Sequence, residues 1–165
     1  MSRIPTYRKN MLVQRFHAVP MIWPETVGHH SANVALICME ICDRMGVEIA
    51  PSLLKAALLH DVGEYYTGDI PSNVKWAYED FNNMLAEIER DYLFNNNIHF
   101  PELTFQEEFI LKTADILDLC LKCKAEFRMG NEGAGEIHTR ALAALEGQTA
   151  GAPFRSIVWE IYSEC

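Results

Sequence analysis

Apolar residues recur every three to four positions along most of this chain, and this spacing predicts α-helices. In the clearest stretch the residues that share one helical face are Val27, Val34, Ile37 and Ile41. Comparable stripes follow at residues 51–60, 81–92, 105–129, 137–145 and 154–162. None of these segments alternates apolar and polar residues with the period of two that a half-buried strand requires. The sequence therefore predicts an all-α fold.

Capping residues set the predicted helix ends. Gly46 ends the first stripe, and Pro51 opens the next helix, which we expect to end near Gly63. Thr104 and Glu107 form a capping box in front of a long helix, the clearest start signal in the chain. Two further predictions are a short helix at residues 8–17 and a loop at residues 67–75.

The length of 165 residues fits one domain, which we expect to be a single compact helical bundle over residues 1–165. Apolar residues make up 49% of the chain and charged residues 22%, the balance of a globular protein with a core. No apolar run reaches the roughly 18 residues of a membrane span, and no signal peptide is apparent, so we predict a cytoplasmic protein. The net charge of −9 argues against a surface that follows a nucleic-acid backbone.

The five cysteines are an odd number for a disulfide framework. Cys38 and Cys42 lie in one helical pattern and Cys120 and Cys123 in another, which favours reduced thiols in the core. The alternative is a four-cysteine zinc site. We favour it less, because neither pair is accompanied by a turn or a glycine-rich knuckle.

Basic residues are concentrated at the start of this acidic chain, ahead of Glu25, its first acidic residue: Arg3, Arg8, Lys9 and Arg15. Such a segment suits a small anionic ligand, although a solvated N-terminus explains the first three residues equally well. Arg15 lies among apolar neighbours, where an unpaired charge is costly. Because no carboxylate precedes Glu25, we expect a phosphate group to be the counter-ion of Arg15.

Four ionisable residues lie where amphipathic helices are expected to be apolar. His30 shares the stripe of the first clear helix, His60 and Asp61 end the run AALLHD, and Asp115 interrupts FILKTADILDL. A single buried histidine is usually a hydrogen-bonded core residue, but two histidines and two aspartates on three core-facing stripes favour a metal site. This mixed nitrogen and oxygen set suits a borderline divalent ion such as Mn²⁺, Co²⁺, Fe²⁺ or Zn²⁺.

The order of these residues resembles the HD-domain phosphohydrolase superfamily, which is all-α and named for its adjacent His-Asp pair. The flanking segments resemble its subgroup of bacterial 5'-deoxynucleotidases. They are QRFHAVP, ETVGHHSANVAL, ALLHDVGEYYTGDIPSNVK and KTADILDLCLKCKAE, and together they extend from Arg15 to Glu126. The short chain and the version RFHAVPMIWPETV of the first element are closer to small phage dATP triphosphohydrolases of this subgroup.

The resemblance implies that His30, His60, Asp61 and Asp115 are the metal ligands, for Co²⁺, Mn²⁺ or Zn²⁺, or for Mg²⁺ with a triphosphate. His29 competes with His30 for this role, but consecutive helix positions point about 100° apart. His30 shares the apolar stripe and faces the core, which leaves His29 a secondary role.

Two acidic residues receive catalytic roles from the resemblance. Glu64, four residues after His60 and so one helical turn away, would position or deprotonate the attacking water. Asp69 would donate a proton to the leaving oxygen. The alternative for Asp69 is a local turn bond within the TGD loop.

Substrate contacts are implied for four more residues. Arg15 would clamp the phosphate next to the sugar, since its planar fork suits bidentate phosphate contacts. Phe16 would contact the nucleoside. His17 and Lys75 would bind further phosphate oxygens or lie on an ordinary surface.

The resemblance implies a metal-dependent deoxynucleotide phosphohydrolase. We expect dATP as the substrate, with deoxyadenosine and triphosphate as the products. The alternatives are a 5'-nucleotidase acting on deoxynucleoside monophosphates and a non-catalytic HD domain that binds a nucleotide. The expected partner is the nucleotide alone, with no nucleic-acid polymer and no membrane, in a homo-oligomer like those of the relatives.

Overall fold

From residue 4 to residue 164 the backbone is organised as a succession of helices. The computed structural model describes residues 2–165, with the side chains of residues 72, 73 and 76 outside the description. The helix bounds are α1 Ile4–Asn10, α2 Val27–Arg44, α3 Pro51–Leu59, α4 Glu64–Thr67, α5 Ser72–Ala77, α6 Glu79–Asn95, α7 Phe105–Arg128, α8 Ala134–Thr149 and α9 Arg155–Glu164. Within residues 2–165 no strand forms, and Gln14 and Thr26 make an isolated bridge. The predicted all-α class is confirmed.

The apolar core lies where α2 packs against α3 and α7. Helix α8 packs along α7, and α9 contacts both α2 and α7. Buried side chains from these five helices form one cluster, which includes Ile41, Leu53, Leu117, Leu145 and Val158. None of the helices in the described part of the chain is both long enough and apolar enough to cross a membrane.

The cysteines of α2 and α7 belong to this buried region as free thiols. Burial raises the pKa of Cys38, Cys120 and Cys123 to about 12, so these thiols stay protonated at neutral pH. Among the described residues, neither of the two clusters of metal-ligating side chains contains a cysteine. The thiols are core groups, and the four-cysteine zinc site is not formed.

Both long helices that carry site residues begin with a capping box. Thr104 and Glu107 cap α7 as the sequence predicts. On α2 the cap is Thr26, whose side chain accepts a hydrogen bond from the backbone of His29 while the His29 ring bonds back to the Thr26 backbone. His29 takes the place that glutamate or glutamine usually holds in such a box. This explains its exposure to solvent while His30 is buried.

Two sequence predictions about local structure are wrong. The helix expected at residues 8–17 spans Ile4–Asn10 instead. Residues 15 and 16 cannot belong to it, because Phe16 has a φ of 58° and the Arg15 backbone N–H donates to the Glu25 carbonyl. We call residues 11–26 the α1–α2 loop. The loop expected at residues 67–75 contains the first turn of α5, which begins after Pro71.

The His-Asp pair lies in a turn, between the end of α3 at Leu59 and the start of α4 at Glu64. Gly63 allows this turn to approach α6 closely. A Cβ atom at Gly63 would lie 2.7 Å from the Cβ of Glu89, too close for any larger residue without movement. Glu64 therefore follows His60 across a helix break, not one turn along a continuous helix as predicted.

Candidate active site

Four donor groups from α2, the α3–α4 turn and α7 converge at one point. The Nε2 atom of His30 lies 3.2 Å from His60 Nε2, 3.2 Å from Asp115 Oδ1 and 3.5 Å from Asp61 Oδ2. His60 Nε2 lies 3.3 Å from the same Asp61 oxygen. The structure thus brings together all four residues that the sequence predicts as metal ligands.

The converging groups fit a divalent metal ion. Ligand bonds of about 2.0–2.2 Å to one shared ion place neighbouring donor atoms about 3.0–3.5 Å apart, which matches the spacing of His30, His60, Asp61 and Asp115. Two imidazoles and two carboxylates that face each other repel unless protons or a cation lie between them. The two nitrogen and two oxygen donors suit Mn²⁺, Co²⁺, Fe²⁺ or Zn²⁺.

The charges around this point keep the aspartates ionised. Burial raises the pKa of Asp61, but His60, His30 and Arg15 outweigh it and hold the pKa well below its usual range. Burial also raises the pKa of Asp115, but the hydrogen bond to His30 and the charge of Lys112 outweigh it and hold this pKa well below its usual range. Burial lowers the pKa of His30, and hydrogen bonds to the carboxylates of α7 outweigh this and raise it to about 10. A metal ion held by His30 would take the place of that proton.

The other nitrogen of each histidine ring is held by a partner behind it. His30 Nδ1 lies 2.7 Å from Asp118 Oδ2, and His60 Nδ1 lies 2.9 Å from the Ala57 carbonyl oxygen. These bonds fix the ring orientation and leave Nε2 free to act as a ligand. Sequence reasoning missed Asp118, although its position three residues after Asp115 places it on the same face of α7.

A cavity of about 530 Å³ opens beside the converging groups, a volume typical of small-molecule sites. Its acidic lining residues are Asp61, Glu64, Asp69, Asp115 and Glu136. Its basic lining residues are Arg15, Lys75, Lys112 and Arg140. Its remaining wall is apolar and includes Phe16, Val19, Ile116, Leu119 and Ile137. The lining therefore combines acids, which suit a metal ion, with cations, which suit an anionic group, and an apolar surface.

All four cavity cations contact a carboxylate that lines the cavity, and for Arg140 it is Glu136, one helical turn earlier. Arg15 Nη1 lies 3.2 Å from Asp61 Oδ2, and Lys75 Nζ lies 3.2 Å from Glu64 Oε1. Lys112, which sequence reasoning missed, lies 2.8 Å from Asp115 through its Nζ. These contacts place positive charge around the point where the donor atoms converge.

The prediction that a phosphate is the natural counter-ion of Arg15 needs correction. Besides Asp61, its Nε lies 3.1 Å from Glu25 Oε1, and both Arg15 and Glu25 are largely buried. The α1–α2 loop folds back so that Glu25 meets an arginine ten positions earlier, which helical spacing did not suggest. Arg15 still lines the cavity and contacts the Phe16 ring at 5.6 Å from its centroid.

Glu64 is a buried carboxylate with one free oxygen. Its Oε1 pairs with Lys75, while Oε2 has no hydrogen-bond partner among the described residues. Burial and the neighbouring Asp61 charge raise the Glu64 pKa to about 8. A buried carboxylate oxygen beside the cavity is suited to hold a water molecule.

Asp69 and His17 have contrasting positions. Asp69 lines the cavity and accepts a hydrogen bond from the Phe16 backbone N–H at 3.2 Å, which joins the α4–α5 connection to the α1–α2 loop. His17 is exposed and is not among the residues that line the cavity. The structure therefore brings Asp69, Arg15, Phe16 and Lys75 to the cavity and leaves His17 outside it.

Comparison with known proteins places the chain in a family. The family model described as 5'-deoxynucleotidase YfbR-like matches residues 6–152. A 5'-deoxynucleotidase of Vibrio parahaemolyticus is 29% identical over 140 residues, which cover 73% of this chain and 72% of the relative. The 5'-deoxynucleotidase YfbR of Salmonella paratyphi B is 28% identical over 155 residues, which cover 82% of this chain and 77% of the relative.

Solved structures share the fold. An HD phosphohydrolase of cyanophage S-2L, DatZ, bound to dA and one catalytic Zn²⁺ ion, superposes with a TM-score of 0.81 at 16% identity, over 99% of this chain and 96% of that one. An HD-domain phosphohydrolase of Listeria innocua superposes with a TM-score of 0.79 at 24% identity, over 98% of this chain and 86% of that one. At these identities the likeness establishes the helical architecture.

The family match covers the stretch that contains the four converging donor residues, Glu64 and Asp69. The resemblance predicted from the sequence segments is therefore confirmed. The chain belongs to the YfbR-like family of 5'-deoxynucleotidases and is a metal-dependent deoxynucleotide phosphohydrolase.

Proposed function

We propose that this protein hydrolyses dATP to deoxyadenosine and triphosphate, with a divalent metal held by His30, His60, Asp61 and Asp115. The observation that carries the triphosphate proposal is the number of cations in the cavity. Arg15 and Lys75 are sufficient for one phosphate, and Lys112 and Arg140 add positive charge in the same cavity. In the free protein Lys112 pairs with Asp115 and Arg140 with Glu136, so further phosphates would compete with these two carboxylates for the cations.

The metal, when bound, would polarise the phosphate and lower the pKa of a water molecule. Co²⁺, Mn²⁺ and Zn²⁺ suit the two-histidine, two-aspartate donor set, and Mg²⁺ is a further candidate when a triphosphate supplies additional oxygens. The Zn²⁺ in the cyanophage enzyme supports a transition metal in this family of folds.

Glu64 is placed to take the proton of the attacking water. Its Oε2 is buried beside the cavity and has no hydrogen-bond partner among the described residues, so this oxygen is available to accept the proton. Lys75 holds the other oxygen of Glu64 and so fixes the direction of the carboxylate. The oxygen of the water becomes bonded to the phosphorus next to the sugar as its proton passes to Glu64.

The leaving group is the 5' oxygen of the deoxynucleoside. As the bond between phosphorus and this oxygen breaks, Asp69 would donate a proton to the oxygen. Arg15 would bind the oxygens of the scissile phosphate, whose charge redistributes in the transition state. Phe16 and the apolar wall formed with Ile116 and Leu119 would contact the deoxynucleoside.

The second candidate is a 5'-nucleotidase that acts on deoxynucleoside monophosphates. The family description and the names of both relatives favour it directly. The same residues would then release deoxynucleoside and inorganic phosphate. A non-catalytic nucleotide-binding domain is a third candidate, and Glu64 argues against it, because a sensor does not need a carboxylate placed to accept a proton from water.

The experiment is a product analysis. The protein is incubated with Mn²⁺, Co²⁺ or Zn²⁺ and with each deoxynucleoside triphosphate and monophosphate, and the products are separated by ion-exchange chromatography. Deoxyadenosine together with intact triphosphate supports the proposal, whereas deoxynucleoside with phosphate from monophosphates alone supports the second candidate. Light scattering of the same sample tests the proposed homo-oligomer.

A further inference from the structure

Outside the cavity, the end of α7 carries a fully buried carboxylate, that of Glu126. Its two oxygens accept hydrogen bonds from the backbone N–H groups of Ile22 and Trp23, each at 2.8 Å. The Asn131 side-chain amide donates to it at 2.8 Å and Lys122 Nζ at 2.9 Å. Four donors for one carboxylate are enough to keep it ionised in the interior, and its pKa is lowered to about 2 because these bonds outweigh the effect of burial.

Two of these donors, Lys122 and Asn131, also form hydrogen bonds directly to the α1–α2 loop. Lys122 Nζ donates to the Trp23 carbonyl oxygen, and Asn131 Nδ2 donates to the Pro20 carbonyl oxygen at 2.9 Å. The cluster Lys122, Glu126 and Asn131, which we call the α7 clamp, therefore bonds both N–H and carbonyl groups of residues 20–23. Trp23 is itself 65% exposed, so packing of its ring contributes little to this anchoring.

A second anchor holds the two ends of the α1–α2 loop together. The Arg15 N–H donates to the Glu25 carbonyl at 3.0 Å, and the Val27 N–H donates to the Val13 carbonyl at 2.9 Å. Between this anchor and the α7 clamp lies a short segment, residues 16–19. Three residues of this segment, Phe16, Ala18 and Val19, line the cavity.

We propose that Glu126 is a positioning residue for the substrate: through the α7 clamp it holds residues 16–19 in the conformation that forms one wall of the nucleotide cavity. The inference rests on the proposed function of that cavity. Glu126 itself is not among the residues that line the cavity, and it is not among the converging metal donors.

The mechanism is preorganisation of a loop. If the clamp is lost, Phe16 keeps its hydrogen bond to Asp69, but Ala18 and Val19 sample conformations in which their part of the wall is absent. Apparent affinity is then reduced in proportion to the fraction of molecules that are competent to bind. The metal donors lie on α2, the α3–α4 turn and α7, and among the described residues the hydrogen bonds to residues 20–23 come from Lys122, Glu126 and Asn131 and not from these donors. Loss of the clamp therefore raises KM while leaving kcat at saturating substrate and the metal content unchanged.

The test compares Glu126→Gln with a control that loses a buried hydrogen bond elsewhere. Thr149 is fully buried and donates to the Leu145 carbonyl within α8, so Thr149→Val weakens the fold without touching the loop. For each variant we measure kcat and KM at a temperature well below its Tm, metal content, and hydrogen exchange of the backbone amides in residues 16–23. The nucleotide that the wild type hydrolyses best serves as the substrate.

In Glu126→Gln we expect KM to rise roughly tenfold, kcat to stay within about twofold, and amide exchange in residues 16–23 to accelerate. In Thr149→Val we expect a lower Tm with wild-type KM. Asn131→Ala removes one hydrogen-bond donor to Glu126 and one contact to the loop, and we expect a smaller rise in KM. This variant replaces Glu126→Gln in the test if Glu126→Gln does not fold.

The inference is overturned if Glu126→Gln keeps wild-type KM and wild-type exchange, or if Thr149→Val raises KM to the same extent. A wild type that hydrolyses no nucleotide overturns the proposed function instead. In that case exchange at residues 16–19 of Glu126→Gln still decides whether Glu126 holds the wall.

Discussion

Helices α2 and α7 carry their site residues on long capped elements, whereas Arg15 and Phe16 lie on the irregular α1–α2 loop. On the helices, the capping residues Thr26 and Thr104 and the apolar stripes fix the direction of each side chain from local sequence. On the loop, direction depends on partners that are distant in the chain, such as Asp61 for Arg15. The proposed metal and nucleotide halves of the cavity are thus stabilised by different kinds of interaction.

This difference has consequences for the effect of substitutions. A donor on a helix has a fixed position, and no neighbouring residue takes its place when it is removed. A loop residue is one of several contacts that together hold the substrate. We therefore expect substitutions on the helical side to abolish turnover, and substitutions on the loop to change substrate binding by smaller factors.

The largest effect is expected from removal of a metal donor. His30→Ala leaves three donors and frees Asp118 from its partner, so we expect loss of bound metal and a fall in turnover of roughly 10³-fold or more. His29→Ala is the matched control, because His29 is adjacent to His30 and exposed, and its ring bonds to the Thr26 cap outside the converging donors. Metal analysis and turnover are measured for both. Equal metal content in the two variants would show that the assignment of His30 is wrong.

The next largest effect is expected at Glu64. Glu64→Gln keeps the size of the side chain but cannot accept the proton of the water, so kcat is expected to fall roughly 10²-fold while metal content stays near wild type. Glu87→Gln on the exposed face of α6 is the control for loss of a carboxylate. Near-normal turnover in Glu64→Gln would transfer the base role to another acid, with Asp69 the next candidate.

On the loop, Arg15 is expected to show a graded response. Arg15→Lys keeps the charge but loses the planar fork, and we expect kcat/KM to fall roughly tenfold. Arg15→Ala also loses the charge, and we expect kcat/KM to fall roughly 10²-fold. Metal content is measured alongside, because Arg15 also contacts Asp61. If kcat and KM are unchanged in Arg15→Ala, Arg15 does not bind the substrate, and the proposed role of the loop in the site is wrong.

The helices and the donor residues near them could be predicted from the sequence, because apolar periodicity and capping residues are local features. Apolar periodicity and the Thr104 capping box predict α7 closely, and two histidines with two aspartates on apolar stripes predict which side chains converge. Asp118 was within reach, since it lies one turn after Asp115 on the same face. Lys112 was also detectable, three residues before Asp115.

The conformation of the α1–α2 loop could not be predicted from the local sequence. Leu12, Val13 and Phe16 suggest one turn of helix, but the positive φ of Phe16 and the pairing of Arg15 with Glu25 follow from contacts that form only in the folded chain. The partner of residues 22 and 23 lies more than a hundred positions away, in Glu126. No periodicity connects these positions, so spacing alone does not predict them.

The smallest expected effect concerns the stability that Glu126 contributes through the loop. Because its pKa in the folded protein is about 2, below the ordinary value of 4.5, this contribution is fully present above pH 4.5 and is lost as pH falls from 4.5 toward 2. Glu126→Gln removes the charge, and we expect it to lower the free energy of unfolding by about 2 kcal/mol at pH 7. The difference between wild type and variant should shrink as the pH falls toward 3.

Urea unfolding of the metal-free protein at several pH values measures this difference without a contribution from metal binding. Asp61 and Asp115 also have lowered pKa values, but both proteins contain them. Their contributions cancel when the free energy of unfolding of the variant is subtracted from that of the wild type at each pH. Glu164→Gln, an exposed partner of Arg44, should show only a small change at any pH. A difference that stays constant from pH 7 to pH 3 would mean that the charge of Glu126 is not what stabilises the loop. Glu126 would then no longer be an example of a distant buried charge that stabilises the loop, and the contrast with the helical half would rest on Arg15 and its partners.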